Sequence, residues 1–281
     1  MAPLWLHKSA LVARALRLFA LALLAAACSD DKPDTDTDEK RSYSEKHRAV
    51  VDEAEKNEAE ESPAEREPVA EPTEKAPGET PRSPSPSHRR IKHAGGEVHA
   101  IEAGSRSGQS VLLLHGARFD ASRWVELGTL DALASAGHRA VAIDLPGHGD
   151  SEKSKADARE FLAGLIPKLQ IGKPVVVAPS MSGRYAYPLV ESHPELVAGL
   201  VAVAPAGTVE HAPRLRELEL PLLAVWGEKD DVFPAAQANR LIAAVSGARK
   251  VVLSGAGHAC YIDRPDAFHA ALLGFIRSMG N

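Results

Sequence analysis

The sequence predicts an α/β fold, with a mostly parallel central sheet covered by helices on both faces, carried by residues 91–281. Short apolar runs, helix-period stripes between them and turn residues at the joins together predict it. The runs are Val111-Leu112-Leu113-Leu114, Val141-Ala142-Ile143, Val175-Val176-Val177, Leu200-Val201-Ala202-Val203, Leu222-Leu223-Ala224-Val225 and Val251-Val252-Leu253. A strand buried on both faces needs such a run, and strands alternating with helices imply parallel pairing.

The elements follow in order. Residues 91–103, with Gly95-Gly96 at their middle, read as an antiparallel edge hairpin entering the sheet. Trp124, Leu127, Leu130 and Ala134 share one helical face, and Gly137 is placed to stop that helix. Phe161, Leu162, Leu165, Ile166 and Leu169 form a second stripe, and Phe268, Leu272, Phe275 and Met279 a third. The runs ending at Val203 and starting at Leu222 are fewer than twenty residues apart. That connection has room for one short helix and excludes a large lid.

The chain before this domain has a different character. Residues 29–90 contain no Leu, Ile, Met, Phe or Trp, and carry 18 Asp and Glu against 11 Lys and Arg, with eight prolines. Such a segment buries too little apolar surface to offset the entropy of ordering, and reads as a disordered acidic linker. It carries a charge of −7 against +3 from Lys8, Arg14 and Arg17, so of the chain's net −5 the domain itself holds only about −1. No basic face is left to attract nucleic acid. No phosphate-cradling loop or paired Cys/His spacing occurs, so neither a cofactor nor a metal is expected.

Lys8, Arg14 and Arg17 precede an apolar run at 18–27, ending in Ala25-Ala26-Ala27-Cys28. This layout is that of a signal peptide over residues 1–27, too short for a spanning helix. Its end resembles the lipobox of bacterial lipoproteins, although Ala25 stands where Leu is commonest. The resemblance implies cleavage before Cys28, thioether lipidation there, and attachment to a bacterial cell-envelope membrane, facing the periplasm or in the outer membrane. The alternative is an ordinary cleaved signal and a secreted protein. Cys28 and Cys260 are the only cysteines, which excludes a disulfide scaffold.

Ligands of such sheets bind beyond the carboxyl ends of the strands, so the loops there carry the chemistry. The third run leads into Ala178-Pro179-Ser180-Met181-Ser182-Gly183. A buried strand running into a serine, with small residues two before and two after, is a nucleophile elbow. Ala178 and Ser182 take the places usually held by glycine. Ser182 is a rival nucleophile, but its frame puts Arg184 at the crowded second position. A serine merely capping the following helix is the structural alternative. His115-Gly116-Ala117 follows the first run. The backbone N–H groups of Ala117 and Met181 are the candidate oxyanion donors, fixed before charge develops.

Gly227 ends the fifth run and Asp230 follows it by three. Asp230 is the candidate acid that orients an imidazole, ahead of Asp231 and Glu228. His258 follows the last run on a glycine-rich loop and is the candidate general base. The order Ser180, Asp230, His258 is that of the G-x-S-x-G hydrolases. Arg118 is a candidate for contact with a substrate carboxylate, against a surface salt bridge. Asp144 reads as fixing the loop at 145–149, and Cys260 as packing in the pocket wall.

At these residues the domain resembles the α/β hydrolases, and is most similar to the ABHD14 group of small, lidless members. The similarity lies in His115-Gly116-Ala117-Arg118-Phe119, Leu127-Gly128-Thr129-Leu130, the segments at 141–149 and 179–183, and Gly255-Ala256-Gly257-His258-Ala259-Cys260-Tyr261 through Pro265. The Ser-x-Ser-Gly elbow and the Cys-Tyr after the histidine set this group apart. The resemblance implies Ser180 as nucleophile, Asp230 as orienting acid and His258 as base, acting on small acyl esters or amides. Acyl transfer to a thiol or amine acceptor, and a non-catalytic binding protein that retains the fold, are the alternatives. The sequence carries no sign of oligomeric state.

Overall fold

The computed structural model describes residues 85–280. The expected signal peptide at 1–27, the candidate lipidation site Cys28 and the expected linker up to residue 84 lie outside the described residues. Among the described residues, no helix is long and apolar enough to cross a membrane.

The sheet has eight strands in the order β1-β2-β4-β3-β5-β6-β7-β8. β1 (Ser87–His93) and β2 (Gly96–Gly104) form the antiparallel edge hairpin, and β2 continues antiparallel onto β4 (Arg139–Ile143). From β4 onward every pair is parallel, through β3 (Ser110–Leu113), β5 (Val175–Pro179), β6 (Gly199–Val203), β7 (Leu222–Gly227) and β8 (Arg249–Leu253). All six apolar runs are strands. β3, β4, β5, β6 and β7 are buried throughout, as their sequences require. β8 is an edge strand and departs from this, with Val252 41% exposed.

The hairpin begins earlier than expected, at Ser87, so residues 87–90 belong to the sheet and not to the linker. Polar fastenings explain this. Arg89 reaches the Glu102 carboxylate at 2.9 Å, and His88 Nδ1 meets His99 Nε2 at 2.9 Å. No apolar run announces such contacts.

Among the described residues, eight helices accompany the sheet. α1 (Ser122–Glu126), α2 (Thr129–Ser135) and α8 (Pro265–Met279) lie against one core, with Trp124, Leu130, Leu133, Phe268 and Leu272 buried in it. α3 (Ala158–Leu169), α4 (Gly183–Ser192) and α6 (Ala238–Ala244) serve the other core. The single helix expected across Trp124 to Ala134 is two helices. Gly128 adopts a left-handed φ of 69° between them, which an α-helix cannot pass through. The stripe from Phe161 to Leu169 is buried in α3 as expected, and the Asp157 side chain caps that helix by accepting from the Arg159 N–H.

The connection between β6 and β7 holds only α5 (Thr208–His211) and a 3-10 turn at Ala212–Leu215. That connection carries no large lid. α7 (Cys260–Asp263) is a single turn after the last strand.

Candidate active site

Four loops at the carboxyl ends of β3, β5, β7 and β8 build the site. β5 leads directly into Ser180, which adopts φ 48° and opens a 3-10 turn to Ser182 before α4 begins at Gly183. A non-glycine residue in this region costs on the order of 1–3 kcal/mol, so the surroundings must hold it there. They do: the Ser180 carbonyl accepts from the Ala206 N–H at 2.8 Å. A Cβ on Gly183 would stand 2.3 Å from the Ala206 carbonyl oxygen, so only glycine lets α4 approach this loop. The neighbouring Ser182 points inward. It is fully buried and donates to the Pro179 carbonyl at 2.8 Å.

Asp230 sits on the turn after β7 with its side chain wholly buried. Its Oδ1 accepts from the N–H groups of Val232 at 3.0 Å and Phe233 at 2.8 Å. Its Oδ2 lies 3.0 Å from His258 Nδ1. A carboxylate there makes Nδ1 the protonated nitrogen, leaving Nε2 as an acceptor. His258 Nε2 lies 2.9 Å from Ser180 Oγ, so the hydroxyl donates to it. Asp230, His258 and Ser180 therefore form one continuous hydrogen-bonded chain.

The His258 loop is held from several sides. Glu228 Oε2 accepts from the Gly255 N–H at 2.8 Å and the Ser254 hydroxyl at 3.0 Å, and these hydrogen bonds keep its carboxyl below its usual range. Asp263 Oδ2 accepts from the Gly257 N–H at 2.7 Å. The Phe233 ring meets the imidazole edge-on, with centroids 5.2 Å apart. Phe233 and this bracing by Glu228 are not evident from the sequence, because nothing local distinguishes a loop brace from any exposed acid.

The two candidate oxyanion donors, Ala117 and Met181, lie on the loops that follow β3 and β5. Met181 is the residue after Ser180, and Ala117 begins the turn after β3, the hydrogen-bonded neighbour of β5. The β3 loop is tied in place by His115. Its Nδ1 donates to the Gly116 carbonyl at 2.9 Å, and its Nε2 accepts from the Leu145 N–H at 2.9 Å. This pattern needs a neutral ring, and burial pushes the His115 pKa down. Asp144 fixes the adjoining loop, accepting from the N–H groups of Ala121 at 2.6 Å and Asp150 at 2.9 Å, and from His99 at 2.8 Å. Arg118 is exposed on the β3 turn. Among the described residues, no three His, Cys, Asp or Glu side chains gather as metal ligands would.

The comparisons with known proteins agree with this architecture. The model of the "Alpha/beta hydrolase family" matches residues 111–223. The human "putative protein-lysine deacylase ABHD14B" is 40% identical over 190 residues, covering 63% of this chain and 89% of that protein. The chain belongs to the alpha/beta hydrolase family. Within that family it is ABHD14-like: zebrafish (Danio rerio) ABHD14A is also 40% identical, over 175 residues, covering 60% of this chain and 64% of that protein. Among solved structures, a predicted CIB-like hydrolase from Thermoplasma acidophilum superposes with a TM-score of 0.66 at 26% identity, covering 69% of this hydrolase and 99% of that chain. The carboxylesterase CesB from Bacillus subtilis shares the fold, with a TM-score of 0.62 at 17% identity over 68% of this chain and 92% of that one.

Proposed function

We propose that this alpha/beta hydrolase is a serine hydrolase that cleaves short-chain acyl esters, and acyl amides, through an acyl-enzyme intermediate. The observation that carries the reading is the unbroken chain from Asp230 through His258 to Ser180, with links of 3.0 and 2.9 Å. Ser180 Oγ attacks the acyl carbonyl while its proton passes to His258 Nε2. Asp230 holds the tautomer and stabilises the imidazolium. The N–H groups of Ala117 and Met181 receive the developing oxyanion, each such donor being worth roughly 3 kcal/mol in the transition state. His258 then returns the proton to the departing alcohol or amine. Water, deprotonated by the same imidazole, releases the acid from Ser180.

The short β6–β7 connection supports small substrates, since it holds no cap that could enclose a long chain. The printed name of the human relative, a protein-lysine deacylase, supports including amides among them. A series of p-nitrophenyl esters from acetate to octanoate, together with an acetyl-lysine peptide, tests the reading. Turnover should be highest on the shortest acyl groups and vanish in Ser180→Ala. A folded protein that turns over no substrate of the set overturns it and favours a binding role. Repeating the assay with a thiol or amine acceptor separates hydrolysis from acyl transfer.

A further inference from the structure

The Cys260-Tyr261 pair that follows the base has no part in the mechanism above, yet both residues are buried. Tyr261 is 3% exposed. Its ring packs on Trp124 with centroids 4.8 Å apart. Trp124 in turn donates from Nε1 to the Leu114 carbonyl at 2.8 Å, gripping the end of β3 just before His115-Gly116. The Tyr261 hydroxyl itself lies 3.9 Å from the point where a side chain on Gly116 would begin, and Ser180 Cβ lies 3.7 Å from that same point. One side chain from the His258 segment thus lies against the loop that carries Ala117, at the point where that loop faces the Ser180 turn. Cys260, buried beside it, feels the Asp230 carboxylate.

We infer that Tyr261 is a positioning residue, which sets the spacing between the β3 loop and the Ser180 turn so that both backbone donors meet the oxyanion. The inference rests on the proposed serine mechanism. Oxyanion donors act on charge that exists only in the transition state, so loss of their alignment lowers kcat and leaves substrate binding alone. Removing a donor outright costs about 10²–10³ in kcat, and loosening one costs less.

The test compares the full chain with Tyr261→Phe, which keeps the ring and removes the hydroxyl. On p-nitrophenyl acetate, kcat should fall about 10-fold with KM within about twofold. Affinity for a trifluoromethyl ketone, which forms a tetrahedral oxyanion on the serine, should weaken by the same factor. A kcat within about twofold of the parent overturns the inference. So does a loss of activity that merely tracks a lower urea midpoint while the ketone affinity of the folded protein is unchanged. An inactive parent, or an active Ser180→Ala, would instead bring down the serine mechanism beneath it.

Discussion

A Cβ placed on Gly227 would stand 2.0 Å from the carbonyl oxygen of Gly257. The end of β7 and the loop that carries His258 therefore meet backbone against backbone. Asp230, three residues beyond Gly227, reaches His258 because of this contact. Gly227→Ala forces the loop away and lengthens the 3.0 Å link between Asp230 and His258. Misplacement by about 1 Å can cost on the order of 10²-fold in rate. Overpacking of this kind costs roughly 1–3 kcal/mol of stability. Steady-state kinetics and urea unfolding of the variant check both numbers, with kcat/KM expected to fall much further than the folded fraction.

Burial lowers the pKa of four histidines, His93, His115, His138 and His269, below 6.5. Each binds its proton more readily when unfolded. The stability they contribute is complete above pH 6.5 and is lost as the pH falls from there through the folded values. The urea midpoint should hold steady from pH 8 to about 7 and fall below pH 6.5. Carboxylates held below their usual range add to the loss at lower pH. In Glu102, burial opposes the shift, and the hydrogen bonds from Arg139 and Arg89 prevail. The Asp120 shift comes first from the Ser122 hydroxyl. His115→Asn should flatten the fall near pH 6, because that ring is the most enclosed of the four and its neutral form ties the β3 loop to Leu145. A midpoint that does not move between pH 7 and about 5 contradicts this account.

Burial, aided by the carboxylates of Asp230 and Asp263, pushes the Cys260 thiol up to about 12. At pH 8 it is neither a nucleophile nor accessible. Iodoacetamide should leave Cys260 unmodified in the native protein and alkylate it fully in urea, as read by peptide mapping. Rapid native alkylation would show that the turn at α7 opens far more readily than its packing allows.

Much of the fold was legible because parallel strands advertise themselves as apolar runs, and all six runs are strands. What the sequence hid depends on polar contacts made across space. β1 starts at Ser87 because Arg89 finds Glu102, 13 residues away. The helix breaks at Gly128 because that glycine takes a left-handed φ of 69°, which nothing in the local apolar pattern announces. At the site, local motifs point to Ser180, Asp230 and His258, and the structure joins them in one hydrogen-bonded chain. The choice between Ser180 and Ser182 turns on which hydroxyl faces the imidazole and which is spent on the Pro179 carbonyl. Tyr261 and Glu228 were legible as residues but not as supports, since their contacts lie on other loops.

The central claim is that Ser180 is the nucleophile, and the most direct measurement of it is labelling by a fluorophosphonate probe with the site mapped by mass spectrometry. The wild-type protein and Ser182→Ala should both carry the probe on Ser180, and Ser180→Ala should carry none. A label on Ser182, or equal labelling of Ser180→Ala and wild type, would contradict the account.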